Sequence, residues 1–143
     1  MRPSKKVLLV LLLVSAPVAC FALEPPKIVT DGLDGYKKSG YDEAFKIWMK
    51  GSPLENDKTS YMNMKGGMTQ IEAAYGRMIG YEILKSVNMS PSTTRTYAVI
   101  LYEMGPLFLY MDCYKSPKGW IIPEIQFHTK PQMVLPQRFV FGE

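Results

Sequence analysis

The sequence predicts an α+β domain in which N-terminal helices pack on a curved antiparallel β-sheet. Three observations carry the prediction. Apolar residues in the first half recur at three-and-four spacing, as in Tyr41, Ala44, Phe45, Trp48 and Met49, which gathers them on one face of a helix. The second half holds three runs rich in aromatic and β-branched residues, Thr96–Met104, Leu107–Tyr114 and Trp120–His128. Gly and Pro bound these runs, the signal of strands joined by tight hairpins. All the helical patterns precede the meander.

The first 22 residues read as a secretory signal peptide. Arg2, Lys5 and Lys6 make a positive start, Val7–Val14 is unbroken and apolar, and Cys20-Phe21-Ala22 ends in small residues at the right offsets. The apolar run is shorter than the roughly 20 residues needed to cross a bilayer. Cleavage after Ala22 would send residues 23–143 to the bacterial periplasm or the medium as a single domain with a proline-punctuated tail, 131–143. The alternative is a lipoprotein acylated at Cys20, against which Pro17 stands where such signals favour Leu. Without the leader, Lys+Arg falls from 17 to 14 against 13 carboxylates. The net charge drops from +4 to +1, and nothing then points to nucleic acid. One cysteine remains, Cys113, which cannot form an internal disulfide and reads as a small buried hydrophobe.

In chain order, Leu23–Thr30 is expected to be an extended lead-in and Asp31–Lys50 helical, broken at Ser39-Gly40. Asp42, Glu43, Lys46 and Lys50 face outward, and Gly51 is a natural stop. Gly40–Trp48 looks like the first helix of a tetratricopeptide repeat, but no second copy follows. Ser52-Pro53 with Glu55 predicts a capping box and a new helix. Gly66-Gly67 predicts a break, and Thr69–Glu72 a second capping box. Met78–Val87 has strand character, and Asn88–Thr94 reads as a polar loop.

The meander's hairpins decide which side chains share a face. A two-residue loop at Gly105-Pro106 pairs Met104 with Leu107, and Tyr114 is set opposite Trp120. The core face then holds Ala98, Ile100, Tyr102, Met104, Leu107, Leu109, Met111, Cys113, Ile121, Ile125 and Phe127. The other face collects Tyr97, Phe108, Tyr110, Asp112, Tyr114, Trp120, Ile122 and Glu124 among its residues. Pro123 has no donor for a ladder and predicts an edge strand or a bulge, which would reverse Glu124–His128.

This element order, with Tyr75-Gly76 leading into Gly80-Tyr81-Glu82, resembles the NTF2-like (cystatin-like, α+β cone) superfamily over Asp31–Thr129. The resemblance implies helices packed into a concave sheet. Its members range from ketosteroid-isomerase-like enzymes to binding and assembly domains, so it does not settle function. A ligand pocket inside such a cone would involve Trp48, Tyr75, Tyr102 and Met111. The enzymatic alternative, isomerase- or hydrolase-like, needs a carboxylate beside a tyrosine in the cone. Asp112, Glu103 and Glu124 are expected to point away from it. No paired-cysteine metal motif, His-Glu-x-x-His, phosphate loop or nucleophile elbow is present. No catalytic residue, metal or cofactor is therefore assigned, and His128 reads as a hydrogen-bonded strand-end residue.

A non-catalytic binding or assembly module is the expectation. Its working surface is either the cone pocket, taking a small apolar ligand, or the aromatic sheet face of Tyr97, Phe108, Tyr110, Asp112, Tyr114, Trp120 and Glu124. A broad aromatic patch of this kind marks an interface. Its occupant would be a second copy, another envelope protein, or the chain's own apolar tail, with Met133–Leu135 and Phe139–Phe141. Edman sequencing of the chain recovered from a secreting host should begin at Leu23. An acylated Cys20 at the amino terminus would establish the lipoprotein route instead.

Overall fold

The structure is a computed structural model that describes residues 23–142; the leader and Cys20 lie outside them. Two helices, α1 (Lys27–Ser39) and α2 (Tyr41–Met49), form a hairpin about Gly40. A short 3-10 turn, Pro53–Asn56, leads to α3 (Lys58–Tyr75). The chain then makes an open antiparallel sheet in simple order, β1 (Met78–Ser90), β2 (Thr93–Tyr102), β3 (Pro106–Ser116) and β4 (Gly119–His128). A last turn, Pro131–Met133, and a short helix α4 (Gln137–Phe141) end it. The α+β class with helices preceding an antiparallel meander is the predicted one. Among the described residues, no helix is long and apolar enough to cross a membrane.

The helix hairpin depends on a notch. Gly32 presents no side chain, and the Trp48 indole fills that space. A Cβ on Gly32 would lie 1.9 Å from Trp48 Nε1. The indole N–H donates to the Val29 carbonyl at 3.2 Å, so the buried nitrogen is satisfied. Val29, Leu33, Tyr36, Ala44, Phe45, Trp48 and Met49 thereby turn inward together and pack on Ala98, Ile100, Tyr102, Leu107, Leu109, Met111, Cys113, Ile122 and Ile125 of the sheet. Burial pushes the Cys113 thiol up to about 12, which suits an inert core residue.

Several local expectations are corrected. Helix α1 starts at Lys27, so the extended lead-in is only four residues long; Pro26 stands at the cap, its φ of −53° already helical. No capping box forms at Ser52. Its hydroxyl instead accepts from Leu54 N–H, and Glu55 accepts from Gly51 N–H. Asp57 caps α3 by accepting from Ser60 N–H at 3.0 Å. That helix runs unbroken through Gly66-Gly67. Gly67 faces the Phe127 ring, where a Cβ would come within 3.2 Å, so its glycine serves close packing rather than a break. Thr69 bonds back to the Lys65 carbonyl, as a mid-helix threonine does. The expected loop at 88–94 is mostly strand, turning at Pro91-Ser92. Its polar side chains pair across the ladder, Thr94 to Asn88 and Ser90 with Thr93.

The two meander hairpins also differ from expectation, with opposite consequences. Leu107 pairs with Ile100, not Met104. The α3–β1 turn captures the next residues of the chain, as Glu103 N–H donates to the Arg77 carbonyl and Met104 N–H to the Tyr75 carbonyl. This slip is even, so the faces survive, but Met104 leaves the core and is 78% exposed. At the second hairpin Tyr114 pairs with Ile121, one residue further from the turn than expected, and Ile122-Pro123 bulge opposite Cys113. The shifted register reverses Trp120 to Ile122, and the bulge then restores the expected faces of Glu124 to His128. Ile122 is fully buried, and Trp120 packs on the helix side. Pro123 needs no ladder partner there.

Gly32→Ala should destabilise the domain by about 1–3 kcal/mol or more through overpacking. Gly66→Ala, in open space on α3, should stabilise it by about 0.5–1 kcal/mol. Urea unfolding followed by tryptophan fluorescence measures both. Equal effects at the two sites would refute the notch.

A candidate ligand cleft at the mouth of the helix–sheet layer

Of the residues expected to line a cone pocket, Trp48, Tyr102 and Met111 are 3%, 3% and 1% exposed and belong to the packed core. The Tyr75 ring lies 6.5 Å from that of Tyr102, tilted against it, and lines a shallow groove between α3 and the end of β4 with Ile71 and Phe127.

Two groups missed in the sequence join Tyr102. The Tyr36 hydroxyl, from α1, lies 2.8 Å from Tyr102 Oη and donates to Glu72 Oε1 of α3, also at 2.8 Å. With one hydrogen per phenol, Tyr102 donates to Tyr36 and Tyr36 to the carboxylate. This is the carboxylate–tyrosine arrangement the enzymatic alternative required, built from helices rather than strands. Tyr36 lies on the inward stripe with Val29 and Leu33, a detectable signal; Glu72 carried none, because it matched a cap pattern. The chain clamps α1, α3 and β2 together, and it engages the hydrogen of each phenol.

The outward sheet face is partly covered by the chain's own tail. Phe139 of α4 meets Tyr97 edge-on at 5.7 Å, and Lys85 Nζ lies 5.9 Å from the centre of the same ring. Leu135 and Phe139 join Leu84 and Phe108 around a hollow of about 350 Å³. Beyond the tail, Arg95 makes two 2.6 Å hydrogen bonds to Asp112 and lies over the Tyr110 ring at 4.1 Å. The Tyr110 hydroxyl donates to Glu124 at 2.9 Å. Asp112 and Glu124 thus point away from the core, as expected. Tyr114 remains 42% exposed. Trp120, with Ile122 beside it, is turned to the opposite side by the hairpin register. His128 Nδ1 accepts from Lys130 N–H at 2.9 Å, the expected strand-end role.

Trp120 opens onto a cleft of about 600 Å³ where the helix hairpin meets the start of β4. Ile28 of α1, Ile47 of α2, Trp120 and Ile121 supply apolar walls. Asp31, Lys46, Lys50, Ser116 and Lys118 supply polar groups. The volume falls within the range of about 300–1,000 Å³ usual for small-molecule sites. Among the described residues no group of three or more His, Cys, Asp or Glu is arranged to hold a metal. Comparison with known proteins finds no matching family model, curated protein or solved structure.

Desolvation first, and then Tyr102 and Glu72, push the Tyr36 phenol far above the ordinary tyrosine range. Desolvation does the same for Tyr102. A phenol whose folded-state pKa is raised contributes stability that is fully present below the unfolded value, about 10, and is lost as pH climbs toward the folded value. Stability should therefore fall above about pH 10. Tyr36→Phe should lower neutral-pH stability by about 1–3 kcal/mol and flatten that alkaline decline. Denaturation across the alkaline range, with phenolate absorbance followed in parallel, checks both; an unchanged decline would show that the clamp is not its source.

Proposed function

We propose that the chain is an exported, non-catalytic binding domain that holds a small ligand with an apolar body in the Trp120 cleft. The carrying observation is the cleft itself: an exposed concavity of ligand size, with a tryptophan and three isoleucines on its walls. Concave sites of this size, with apolar walls and a few polar groups, are where small ligands usually bind. The remaining concentrations of chemistry are engaged within the chain. The inner phenols and Glu72 bond one another, the outward carboxylates are paired with Arg95 and Tyr110, and the tail occupies much of the aromatic face. Those engagements support binding over catalysis, and the cleft over the sheet face as the working surface.

The NTF2-like likeness belongs to the same reading. Helices feed onto one face of an antiparallel sheet in that order, with the space between them filled by Phe45 and Trp48 and the cleft left at its mouth. Export rests on the leader, with its cationic start, apolar run and small-residue end.

Nile red, a neutral apolar dye, tests the site with the exported chain. Its fluorescence should rise on binding, and Trp120→Ala should weaken that binding about tenfold or more while circular dichroism stays unchanged. Binding that survives Trp120→Ala but is lost in Leu135→Ala would move the site to the hollow beneath the tail and reject the cleft.

A further inference from the structure

We infer that the cleft selects a free anionic amphiphile, a medium-chain carboxylate whose chain lies along Trp120, Ile28 and Ile47 and whose head group meets Lys50 and Lys118. The inference rests on the cleft being a ligand site and adds its charge preference. Lys46, Lys50 and Lys118 come from α2, the residue following it and the β3–β4 turn, yet they surround one apolar floor. Of the nearby carboxylates, Asp31 lines the cleft but pairs with Lys27 at 2.6 Å, Glu43 pairs with the cleft's own Lys46 at 3.9 Å, and Glu55 accepts the Gly51 backbone N–H at 2.8 Å. Among the described residues, Lys50 and Lys118 have no carboxylate within ion-pair distance.

This is a local excess of positive charge. Residues 23–143 as a whole carry only +1, as counted above, so the three lysines at one cleft do not follow from a generally basic surface. A neutral ligand would fill the apolar floor and leave the Lys50 and Lys118 ammonium groups unused. A compact inorganic anion would meet the lysines and leave the indole and isoleucines in water. A carboxylate on a hydrocarbon chain satisfies both halves at once. Lysine suits the task, because its aliphatic stem can lie on the apolar wall while its charge stays at the wet rim.

The test uses dodecanoate and dodecanol as paired probes, each displacing Nile red from the exported chain at low salt. Dodecanoate should bind about three- to tenfold tighter than dodecanol, as expected for two exposed charge contacts. The double variant Lys50→Gln/Lys118→Gln should erase that preference while still binding dodecanol. Raising the salt to about 0.15 M, where the screening length is about 8 Å, should shrink the preference in the wild type. Equal binding of the two probes, or a preference that survives the double variant, overturns the charge inference. If Nile red still depends on Trp120 in that case, the ligand cleft itself stands; if it does not, both readings fall. Flotation with phosphatidylglycerol vesicles separates the lipid source. Capture by vesicles without displacement of Nile red by free dodecanoate would overturn the inference in favour of a membrane surface.

Discussion

The Trp48 indole seated in the notch at Gly32 is the contact on which the rest of the architecture depends. A tryptophan can bring two short helices this close only where the facing residue has no side chain, and only if its N–H finds a carbonyl. Val29 provides that carbonyl one turn before the notch. With the hairpin locked, Phe45 is carried into the centre of the layer, and Ile28, Ile47 and Lys50 are set along one rim. The core and the edge of the cleft are thus two consequences of one steric fit.

The sheet makes the complementary decision at Ile122-Pro123. Two residues of β4 stand there against Cys113 alone, and the side-chain alternation of the strand changes phase. Residues before the bulge belong to one pattern and residues after it to another. Trp120 therefore faces the helices at the mouth of the layer, while Glu124 faces out beside Tyr110. Pairing of Tyr114 with Trp120 would have set the indole on the aromatic face and left the cleft without its largest wall. The tail completes the division of labour, since Phe139 and Leu135 shield the outward aromatics.

The buried polar groups are matched within the domain. Among the described residues, no buried side-chain nitrogen or oxygen lacks a hydrogen-bond partner. The Glu72–Tyr36–Tyr102 chain is the deepest example, tying two helices to the sheet where a purely apolar contact would fix no orientation. The Lys50 and Lys118 ammonium groups lie instead beside the Trp120 indole at the cleft, with no carboxylate among the described residues within ion-pair distance.

The class of the fold, the succession of its elements and most of its core were legible in the residues. Three-and-four spacing and Gly- or Pro-bounded runs are local signals, and the even slip at the first hairpin could not exchange the faces of a strand. The unbroken α3 was not legible, because Gly67 has the same local appearance whether it breaks a helix or admits the Phe127 ring from a strand 60 residues later. The candidate site was hidden for the same reason. Trp120 and Pro123 were visible, but the direction of the indole depended on a one-residue difference at a turn and on a bulge opposite Cys113. The partnership of Tyr36 with Glu72 and Tyr102 likewise spans elements far apart in the chain. Sequence alone determined the periodicities, because these come from backbone geometry. Only the tertiary structure decided which side chains meet and which surface stays open, because those outcomes turn on contacts between distant residues.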